Sequence, residues 1–265
     1  MKNERLVVIM KTYNYLLTKL KKNALLGVLV DPEHDEPEKL AETAQTAVEQ
    51  GADIIFIGGS SNVDPAAFLE ASAKIKQRIQ GKAPLIIYTE NFNTISRDAD
   101  AILFGSVLNS NEPRYLIKMQ VWSAPLIKKI GLEALNTGFL IFEPGGTVGH
   151  VVNYQPIPRE NKKIGLAYTL AAEMMGYKFV YLEAGSRVGT ALEDDIIKLH
   201  RKTLNIPLIV GGGIKNPKKA KSLVEAGASI IIIGTAFEEG ANVSEFANAI
   251  HEAKHIIPND AKTHT

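Results

Sequence analysis

Short apolar runs rich in β-branched residues recur along the chain, separated by stretches with helical periodicity. The runs cover residues 25–30, 54–57, 85–88, 101–104, 139–142, 179–182, 208–210 and 230–233. Each run is continuously apolar rather than alternating, as expected for parallel strands that are covered on both faces. About eight such strands alternating with helices predict an α/β fold of the (β/α)8 TIM barrel type, with a doubly wound open sheet as the alternative.

Two regions depart from the strand–helix alternation. Residues 89–100 are rich in Asn, Asp, Ser and Thr, which compete with helical hydrogen bonds. We therefore predict that the third barrel helix is missing or replaced by an extended loop. Residues 12–20 carry apolar residues at helical spacing and predict an extra N-terminal helix across the bottom of the barrel. No segment resembles an interdomain linker, so residues 1–265 are expected to form a single domain.

Charge and composition restrict the classes of partner. The chain has 30 Lys and Arg against 29 Asp and Glu, so its net charge creates no strong field for nucleic acid or an anionic membrane. Cysteine is absent, which excludes disulfides, thiol nucleophiles and cysteine metal ligands. The N-terminus lacks the features of a signal peptide, and the apolar runs are far shorter than the roughly 20 residues that span a bilayer. We expect a cytoplasmic protein without stable membrane insertion or a nucleic-acid partner.

Glycine follows the last strands of the predicted barrel, where such barrels bind phosphate. Glycine permits close backbone approach, and amides at a following helix N-terminus point toward an anion. The pattern predicts a phosphate site, with simple tight turns as the alternative. The candidate residues are Tyr181, Leu182, Glu183, Ala184, Gly185, Ser186 and Arg187 after strand six, Gly212 and Gly213 after strand seven, and Gly234 and Thr235 after strand eight.

Two carboxylates at the predicted barrel mouth could carry chemistry. Asp31 precedes Pro32 at the end of strand one and could bind Mg²⁺ with Ser60, or could cap the next helix. Glu183 lies two residues after Tyr181, so both side chains should point to one side of the strand. Beside bound phosphate, Glu183 could act as a general base, or it could form a structural ion pair with Arg187.

Two further segments contain candidate motifs. Residues 143–150 are so rich in glycine that we predict a mobile active-site loop rather than a helix, with His150 exposed to solvent or bonded within the loop. Residues 251–255 match H-E-x-x-H, which on a helix can bind zinc through two histidines. This pattern is short, and only His264 in the C-terminal tail offers a third ligand, so a zinc site is disfavoured.

Six stretches resemble the geranylgeranylglyceryl phosphate synthase and heptaprenylglyceryl phosphate synthase family of prenyltransferases. They are LVDPEH, FIGGSS, FEPGGTVGHV, YLEAGSRVG, VGGGIKNP and IIIGTAFEEG, and they extend from strand one to strand eight. The resemblance implies transfer of a long prenyl chain from its diphosphate to the 3-hydroxyl of sn-glycerol 1-phosphate, with geranylgeranyl as the favoured chain. It also implies a homo-oligomer, because the length and the N-terminal helix are similar to the larger branch of the family.

The resemblance assigns roles to the candidate residues. The glycerol phosphate site falls on Tyr181 through Arg187, Gly212, Gly213, Gly234 and Thr235, and the Mg²⁺ positions fall on Asp31 and Ser60. Glu183, with Tyr181 beside it, would accept the proton of the attacking hydroxyl, and the missing third helix would leave an apolar groove for the prenyl chain. Val30, Ser60 and Thr235 depart from some relatives, which bears on the choice of donor more than on the reaction.

Other functions are compatible with the same residues. Asp31 and Glu183 could serve as acid and base in a sugar-phosphate isomerase or aldolase-type barrel, or the chain could be a non-catalytic protein that binds a phosphate ligand. Tyr115 and Trp122 fall in a helical stretch that either lines the groove or belongs to the core.

Overall fold

The computed structural model describes residues 11–33, 35–59, 63–89, 91, 93–186 and 188–263. Eight parallel strands close into a barrel in sequence order, which confirms the predicted (β/α)8 fold. The strands are β1 Leu25–Val30, β2 Ile54–Ile57, β3 Leu85–Ile87, β4 Ala101–Val107, β5 Glu133–Gly145, β6 Phe179–Ser186, β7 Leu208–Gly211 and β8 Ile230–Ile233.

Helices surround the barrel. They are α1 Lys11–Leu20, α2 Pro37–Glu49, α3 Pro65–Ile79, α4 Met119–Ile130, α5 Gly146–Val151, α6 Lys162–Met174, α7 Asp194–Thr203, α8 Pro217–Ala226, α9 Thr235–Glu238, α10 Val243–His251 and α11 Asn259–Thr263. A π-helical turn, Arg114–Lys118, leads directly into α4. No helix in the described ranges is both long and apolar enough to cross a membrane.

Side chains along each strand alternate between the barrel interior and the layer that packs against the helices. In β6, Phe179 and Tyr181 join the interior cluster, whereas Val180, Leu182 and Ala184 join the core under the helices. The same alternation carries Glu183 to the interior side, where it lines a cavity. Strand period therefore decides which residues of this motif can reach a ligand with their side chains.

Helix α1 closes the N-terminal end of the barrel, as predicted. Leu16 and Leu17 are buried in the interior cluster together with the first residues of several strands. The backbone amides of Thr12 and Tyr13 donate to the carboxylate of Glu133, at 2.7 Å and 2.9 Å. Because Glu133 begins β5, one buried carboxylate both satisfies the first amides of α1 and fixes the helix to the barrel.

As predicted from its polar residues, the described part of the segment between β3 and β4 contains no helix. It forms turns in which side chains bind neighbouring backbone and hydroxyl groups. The hydroxyls of Thr89 and Thr94 share a hydrogen bond of 2.7 Å, and the carbonyl of Asn91 accepts the hydroxyl of Thr94 at 2.8 Å. These local bonds take the place of a helical ladder.

Strand β5 and the segment after it differ from the prediction. The strand begins at Glu133, six residues before the predicted start at residue 139, and its first half pairs along all of β4. This half was not predicted because Asn136 and Thr137 are polar. The predicted mobile loop over residues 143–150 is wrong, since residues 146–151 form helix α5. Glycine is needed there for packing, because a Cβ on Gly149 would lie 2.7 Å from the ring of Tyr154.

Candidate functional site

A cavity of about 600 Å³ opens at the carboxyl ends of the strands. Every strand end except those of β4 and β5 contributes to its wall, and helix α5 covers one side. Its lining includes Asp31 and Glu33 after β1, Gly59 after β2, Tyr88 and Thr89 after β3, Thr147 and Val148 of α5, Tyr181, Glu183 and Val188, Gly212, Gly213 and Lys215, and Gly234, Thr235, Glu238 and Glu239.

Glu183 is a buried carboxylate at the wall of this cavity. Its Oε1 accepts the amide of Gly185 at 2.6 Å, and the hydroxyl of Tyr181 also donates to it. Burial raises the pKa of Glu183, and the two hydrogen bonds oppose that rise without cancelling it. The result is an oriented carboxylate whose affinity for a proton is higher than that of an exposed glutamate, which suits a general base.

Tyr181 connects Glu183 to an aromatic cluster in the barrel. Its ring centroid lies 5.6 Å from that of Tyr88 and 5.5 Å from that of Phe139. Burial, together with the nearby charge of Glu183, raises the pKa of Tyr181 well above 10, so the hydroxyl stays protonated and can donate. Tyr88 also shares a side-chain hydrogen bond with Tyr181. The sequence analysis did not select Tyr88, although a tyrosine at the end of a barrel strand is a usable signal.

The glycines after β7 make room for these two side chains. A Cβ on Gly211 would lie 2.2 Å from the hydroxyl oxygen of Tyr181, and a Cβ on Gly212 would lie 2.2 Å from Oε1 of Glu183. Gly212 also has a φ of +84°, a conformation that favours glycine. The absence of side chains in the glycine run therefore leaves the space that the Tyr181–Glu183 pair occupies.

The structure brings together only some of the residues predicted to bind phosphate. Gly212, Gly213, Gly234 and Thr235 line the cavity, and α9 begins at Thr235, where the first helical amides lack an intrahelical acceptor.

Three further residues that were predicted to bind phosphate, Leu182, Ala184 and Gly185, are not among those that line the cavity. The side chains of Leu182 and Ala184 lie under the helices and do not reach the cavity. The amide of Gly185 is bound to Glu183 rather than directed at a ligand. The side chain of Ser186 and the whole of Arg187 lie outside the described residues.

Asp31 lies at the cavity wall against the end of β2. Its Oδ1 accepts the amide of Glu33 at 3.0 Å, and a Cβ on Gly59 would lie 2.1 Å from Oδ2. Helix α2 begins at Pro37 with Glu36 at its N-cap position, so the alternative role of Asp31 as the cap of that helix is wrong. A half-buried carboxylate beside backbone suits a hard cation that takes its other ligands from water and substrate phosphate.

Within the described ranges, Asp31 does not belong to a larger group of metal-ligating side chains. Among the described residues there is no cluster of three or more His, Asp or Glu side chains that could hold a metal ion. Ser60, the second predicted ligand, lies outside the described residues.

The two histidines of the H-E-x-x-H motif make separate contacts within the fold. Helix α10 ends at His251, so the motif does not lie along one helix. Nε2 of His251 lies 2.8 Å from Oδ2 of Asp53, and Nε2 of His255 lies 3.0 Å from the carbonyl oxygen of Leu20. His264 lies outside the described residues, and His150 is exposed at the end of α5, as predicted.

Arg159 connects the end of β5 to the loop after β6, and its role was not predicted from the sequence. Its guanidinium donates to the carbonyls of Thr190 and Ala191, at 3.2 Å and 3.0 Å, and it also binds the carbonyl of Glu143. The backbone of Thr190 packs on Gly213, where a Cβ would come within 2.6 Å of its carbonyl oxygen. Arg159 thus supports the loop behind the glycine run, and its sequence surroundings, RENKK, indicate only a solvated surface.

A second, apolar cavity of about 60 Å³ adjoins the first at Tyr88 and Thr89. It lies between the inner side of α4 and the described residues Tyr88, Thr89, Asn91 and Ile95. Tyr115 lines it, whereas Trp122 does not and is half exposed on the outer side of α4. Its other lining residues include Ile95, Ile102, Phe104, Val107, Met119 and Phe139. This cavity, named the apolar groove, lies beside the cavity that Glu183 lines, but its volume of about 60 Å³ is too small for the whole prenyl chain that the sequence led us to expect there.

Fold and site together define an α/β-barrel protein with a ligand cavity at the carboxyl ends of its strands and an apolar groove beside it. The chain belongs to the PcrB family, whose model matches residues 19–254.

Two curated relatives and one solved structure illustrate the likeness. The geranylgeranylglyceryl phosphate synthase of Methanosphaera stadtmanae is 40% identical over 247 residues, which cover 91% of this chain and 100% of the relative. The enzyme of the same name from Methanothermobacter marburgensis is 39% identical over 243 residues, which cover 92% and 98%. The crystal structure of (S)-3-O-geranylgeranylglyceryl phosphate synthase from Thermoplasma acidophilum, in complex with substrate sn-glycerol-1-phosphate, has a TM-score of 0.86 at 35% identity and covers 90% of this chain and 98% of its own.

Proposed function

We propose that this chain is a prenyltransferase that joins a long-chain prenyl group to the 3-hydroxyl of sn-glycerol 1-phosphate, with geranylgeranyl as the favoured donor group. The C1–O bond of the prenyl diphosphate breaks, an ether bond forms to the glycerol oxygen, and diphosphate leaves. The single observation that carries the proposal is the buried Tyr181–Glu183 pair facing the glycine run, in a chain that aligns along nearly its whole length with synthases of this name.

The acceptor is proposed to lie between the glycine loops and Glu183. Gly212, Gly213, Gly234 and Thr235 would receive the phosphate, since these residues line the cavity and α9 begins at Thr235. Glu183 would accept the proton of the 3-hydroxyl as the new bond forms, because its carboxylate is fixed by Tyr181 and Gly185 and its pKa is raised by burial. Tyr181 orients the base and meets the glycerol from the same side.

The donor is proposed to place its reactive carbon near Tyr88 and its chain in the apolar groove. Tyr88 and Thr89 line both cavities, so a molecule in the groove would present one end to the acceptor. The closed part of the groove, about 60 Å³, holds only a short part of a long prenyl chain. The remainder must lie along the surface of the groove or require α4 and residues 88–95 to separate.

Magnesium is the proposed cofactor, held by Asp31 and by Ser60. Mg²⁺, when bound, would neutralise charge on the leaving diphosphate. The fit rests on the carboxylate of Asp31, which is held at the cavity wall by the amide of Glu33 and faces the backbone at Gly59. A cation that retains waters and meets substrate phosphate needs only one or two protein ligands.

The reaction is tested by incubating the protein with Mg²⁺, sn-glycerol 1-phosphate and a series of prenyl diphosphates, followed by mass analysis. The proposal requires a prenyl ether of glycerol phosphate and an equal amount of diphosphate. Absence of any ether product with every donor would refute it. A cytoplasmic location is proposed as expected from the sequence, and a homo-oligomeric state is proposed from the family resemblance. Sedimentation analysis tests the oligomeric state.

A further inference from the structure

The outer face of the segment 114–129 exposes apolar side chains between cations. Ile117, Val121, Trp122 and Leu126 are 56%, 60%, 50% and 40% exposed, at spacings that place them on one side of the π-helical turn and α4. Exposed apolar side chains scattered singly are ordinary, but Ile117 with Val121 and Trp122 with Leu126 form two i,i+4 pairs on the exposed half of this helical segment. We name this half the outer face.

Exposed cations stand at both ends of the outer face. Arg114 and Lys118 lie at its start, and Lys128 and Lys129 at its end. Residues 113–132 include no Asp or Glu. The flanking carboxylates are occupied elsewhere, since Glu112 accepts the side-chain amide of Asn153 at 2.8 Å and Glu133 binds the start of α1. The chain as a whole is nearly neutral, so this local separation of charge is not visible in its net charge.

We infer that the outer face docks on an anionic lipid surface. A helix with Trp and Leu on one face and Lys and Arg beside them lies in the membrane interface with its apolar side chains buried roughly 5–10 Å deep. Long cationic side chains extend from such a face to the lipid headgroups. The segment needs no membrane-spanning helix for this, and at 1.5 Å per residue it presents a contact about 24 Å long.

The opposite side of the same helix gives the docking a purpose. Tyr115, Met119 and Ser123 line the apolar groove while their neighbours in sequence form the outer face. One helix therefore separates the groove from the inferred lipid surface, a distance of about 10 Å. A long-chain prenyl diphosphate is itself amphiphilic, so docking would bring the groove to the place where this donor collects. That last step rests on the proposed function, whereas the docking does not.

A second copy of the chain is the competing occupant, and the charges disfavour it. In a two-fold contact each outer face would meet its own copy. The cations of one face would then oppose those of the other with no carboxylate from residues 113–132 between them, which is unfavourable. An anionic surface meets the same cations with opposite charge.

Trp122 permits a direct test because it is the only tryptophan in the chain. The full-length protein is mixed, without substrates, with vesicles of phosphatidylcholine alone or with about one third phosphatidylglycerol, and tryptophan emission and co-sedimentation are recorded. We expect a blue shift and binding with the anionic vesicles, both reduced at about 1 M salt, where the Debye length is near 3 Å. Unchanged emission and no binding with either vesicle would overturn the inference.

Two double variants test whether vesicle binding depends on the outer face or on exposed apolar side chains in general. Val121→Asp with Leu126→Asp should weaken partition to anionic vesicles on the order of tenfold or more, and Lys128→Gln with Lys129→Gln should do so by a similar factor. Met174→Asp with Met175→Asp is the matched control, since these side chains are 84% and 68% exposed at the end of another helix. Circular dichroism and thermal unfolding confirm that each variant is folded.

Three results would contradict the inference. One is equal vesicle binding by the outer-face variants and the wild type. Another is equal loss of binding in the methionine control. The third is tryptophan emission that is already blue-shifted without vesicles and moves to the red on dilution, which would show that a second copy covers the outer face. Because no arm contains substrate, failure of the proposed reaction leaves this test unaffected.

Discussion

Gly212 faces the carboxylate of Glu183 so closely that a Cβ on Gly212 would lie 2.2 Å from Oε1 and 2.8 Å from the amide of Gly185. The glycine after β7 and the carboxylate of β6 therefore occupy one shared space. Any side chain at residue 212 must displace the group that we propose as the base. The position of Glu183 thus depends on a neighbouring strand as well as on its own.

We predict that Gly212→Ala lowers kcat/KM by about 10²-fold, because the carboxylate must turn away from the acceptor and an oriented group loses its effect when displaced. Gly176→Ala is the control. Its φ of +86° matches the +84° of Gly212, yet nothing lies within 4 Å of the added Cβ. Both variants should lose about 1–2 kcal/mol of stability from backbone strain. Similar activity in the two variants would show that steric displacement of Glu183 does not matter.

The acid limb of the pH dependence should report Glu183. Burial raises its pKa in the folded protein, and the bond from the Tyr181 hydroxyl lowers it. Activity requires the carboxylate, so kcat/KM should fall as pH decreases through a pKa above the ordinary value of about 4.3. Tyr181→Phe removes a donor to the charged form, so the limb should move to still higher pH. Glu183→Gln should lose about 10²-fold or more in turnover at every pH. An unmoved limb in Tyr181→Phe would count against this assignment.

We predict that Asp31→Asn removes most activity while thermal unfolding stays close to that of the wild type. The carboxylate is half-buried at the cavity wall and contributes charge rather than core packing. Asparagine keeps an oxygen that can accept the amide of Glu33, so the turn should persist. The measurement is initial rate against magnesium concentration for both proteins. Wild-type turnover in the variant would remove Asp31 from the metal site.

Asp53 connects β1 to α10 at the N-terminal end of the barrel, opposite the cavity. We predict that Asp53→Asn lowers the free energy of unfolding by about 2–3 kcal/mol without changing kcat. Asp53 is buried, and its carboxylate accepts the amide of Leu26 at 3.0 Å and lies 2.8 Å from His251. Lys19→Gln is the control, because Lys19 is 44% exposed and its ion pair with Asp53 should contribute about 0–1 kcal/mol.

The stability difference at Asp53 should depend on pH. Burial raises the pKa of Asp53, but the bonds from His251 and Leu26 outweigh burial and hold it below its usual range. A folded pKa below the unfolded value of about 3.9 means that the stabilisation is present above that pH and is lost as pH falls through the folded pKa. Denaturant unfolding of wild type and Asp53→Asn should therefore converge in acid. A constant difference from pH 7 to pH 3 would be inconsistent with this account.

The strands that could be predicted are those whose apolar runs are unbroken. Residues 25–30, 54–57 and 230–233 match β1, β2 and β8 at both ends because burial on both faces leaves no polar position. Strand β5 was predicted too short, since Asn136 and Thr137 are polar and only tertiary pairing with β4 reveals them as strand. Helix α5 was missed because glycine is a poor helix former, and the packing of Tyr154 that requires it is not local in sequence.

The candidate site could be predicted where the strand period and the barrel topology determine the direction in which a side chain points. Tyr181 and Glu183 were expected on one side of β6, and they are. The same two-residue period places the side chains of Leu182 and Ala184 on the opposite side of β6, away from the cavity. Both residues were nevertheless predicted to bind phosphate. Arg159 could not be found, because its contacts join segments that are distant in sequence and the residues that follow it, 160–163, are all polar.

The most direct test of the central claim compares the two enantiomers of glycerol phosphate. The phosphate is proposed to bind to backbone at Gly212 and Gly234, while Tyr181 and Glu183 meet the hydroxyls from one side, so handedness decides whether the 3-hydroxyl faces the donor. The measurement is kcat/KM for sn-glycerol 1-phosphate and sn-glycerol 3-phosphate with one prenyl diphosphate at the same magnesium concentration. The account predicts a preference for sn-glycerol 1-phosphate on the order of 10²-fold or more. Equal values would contradict it, because the side chains at the end of β6 would then not orient the acceptor.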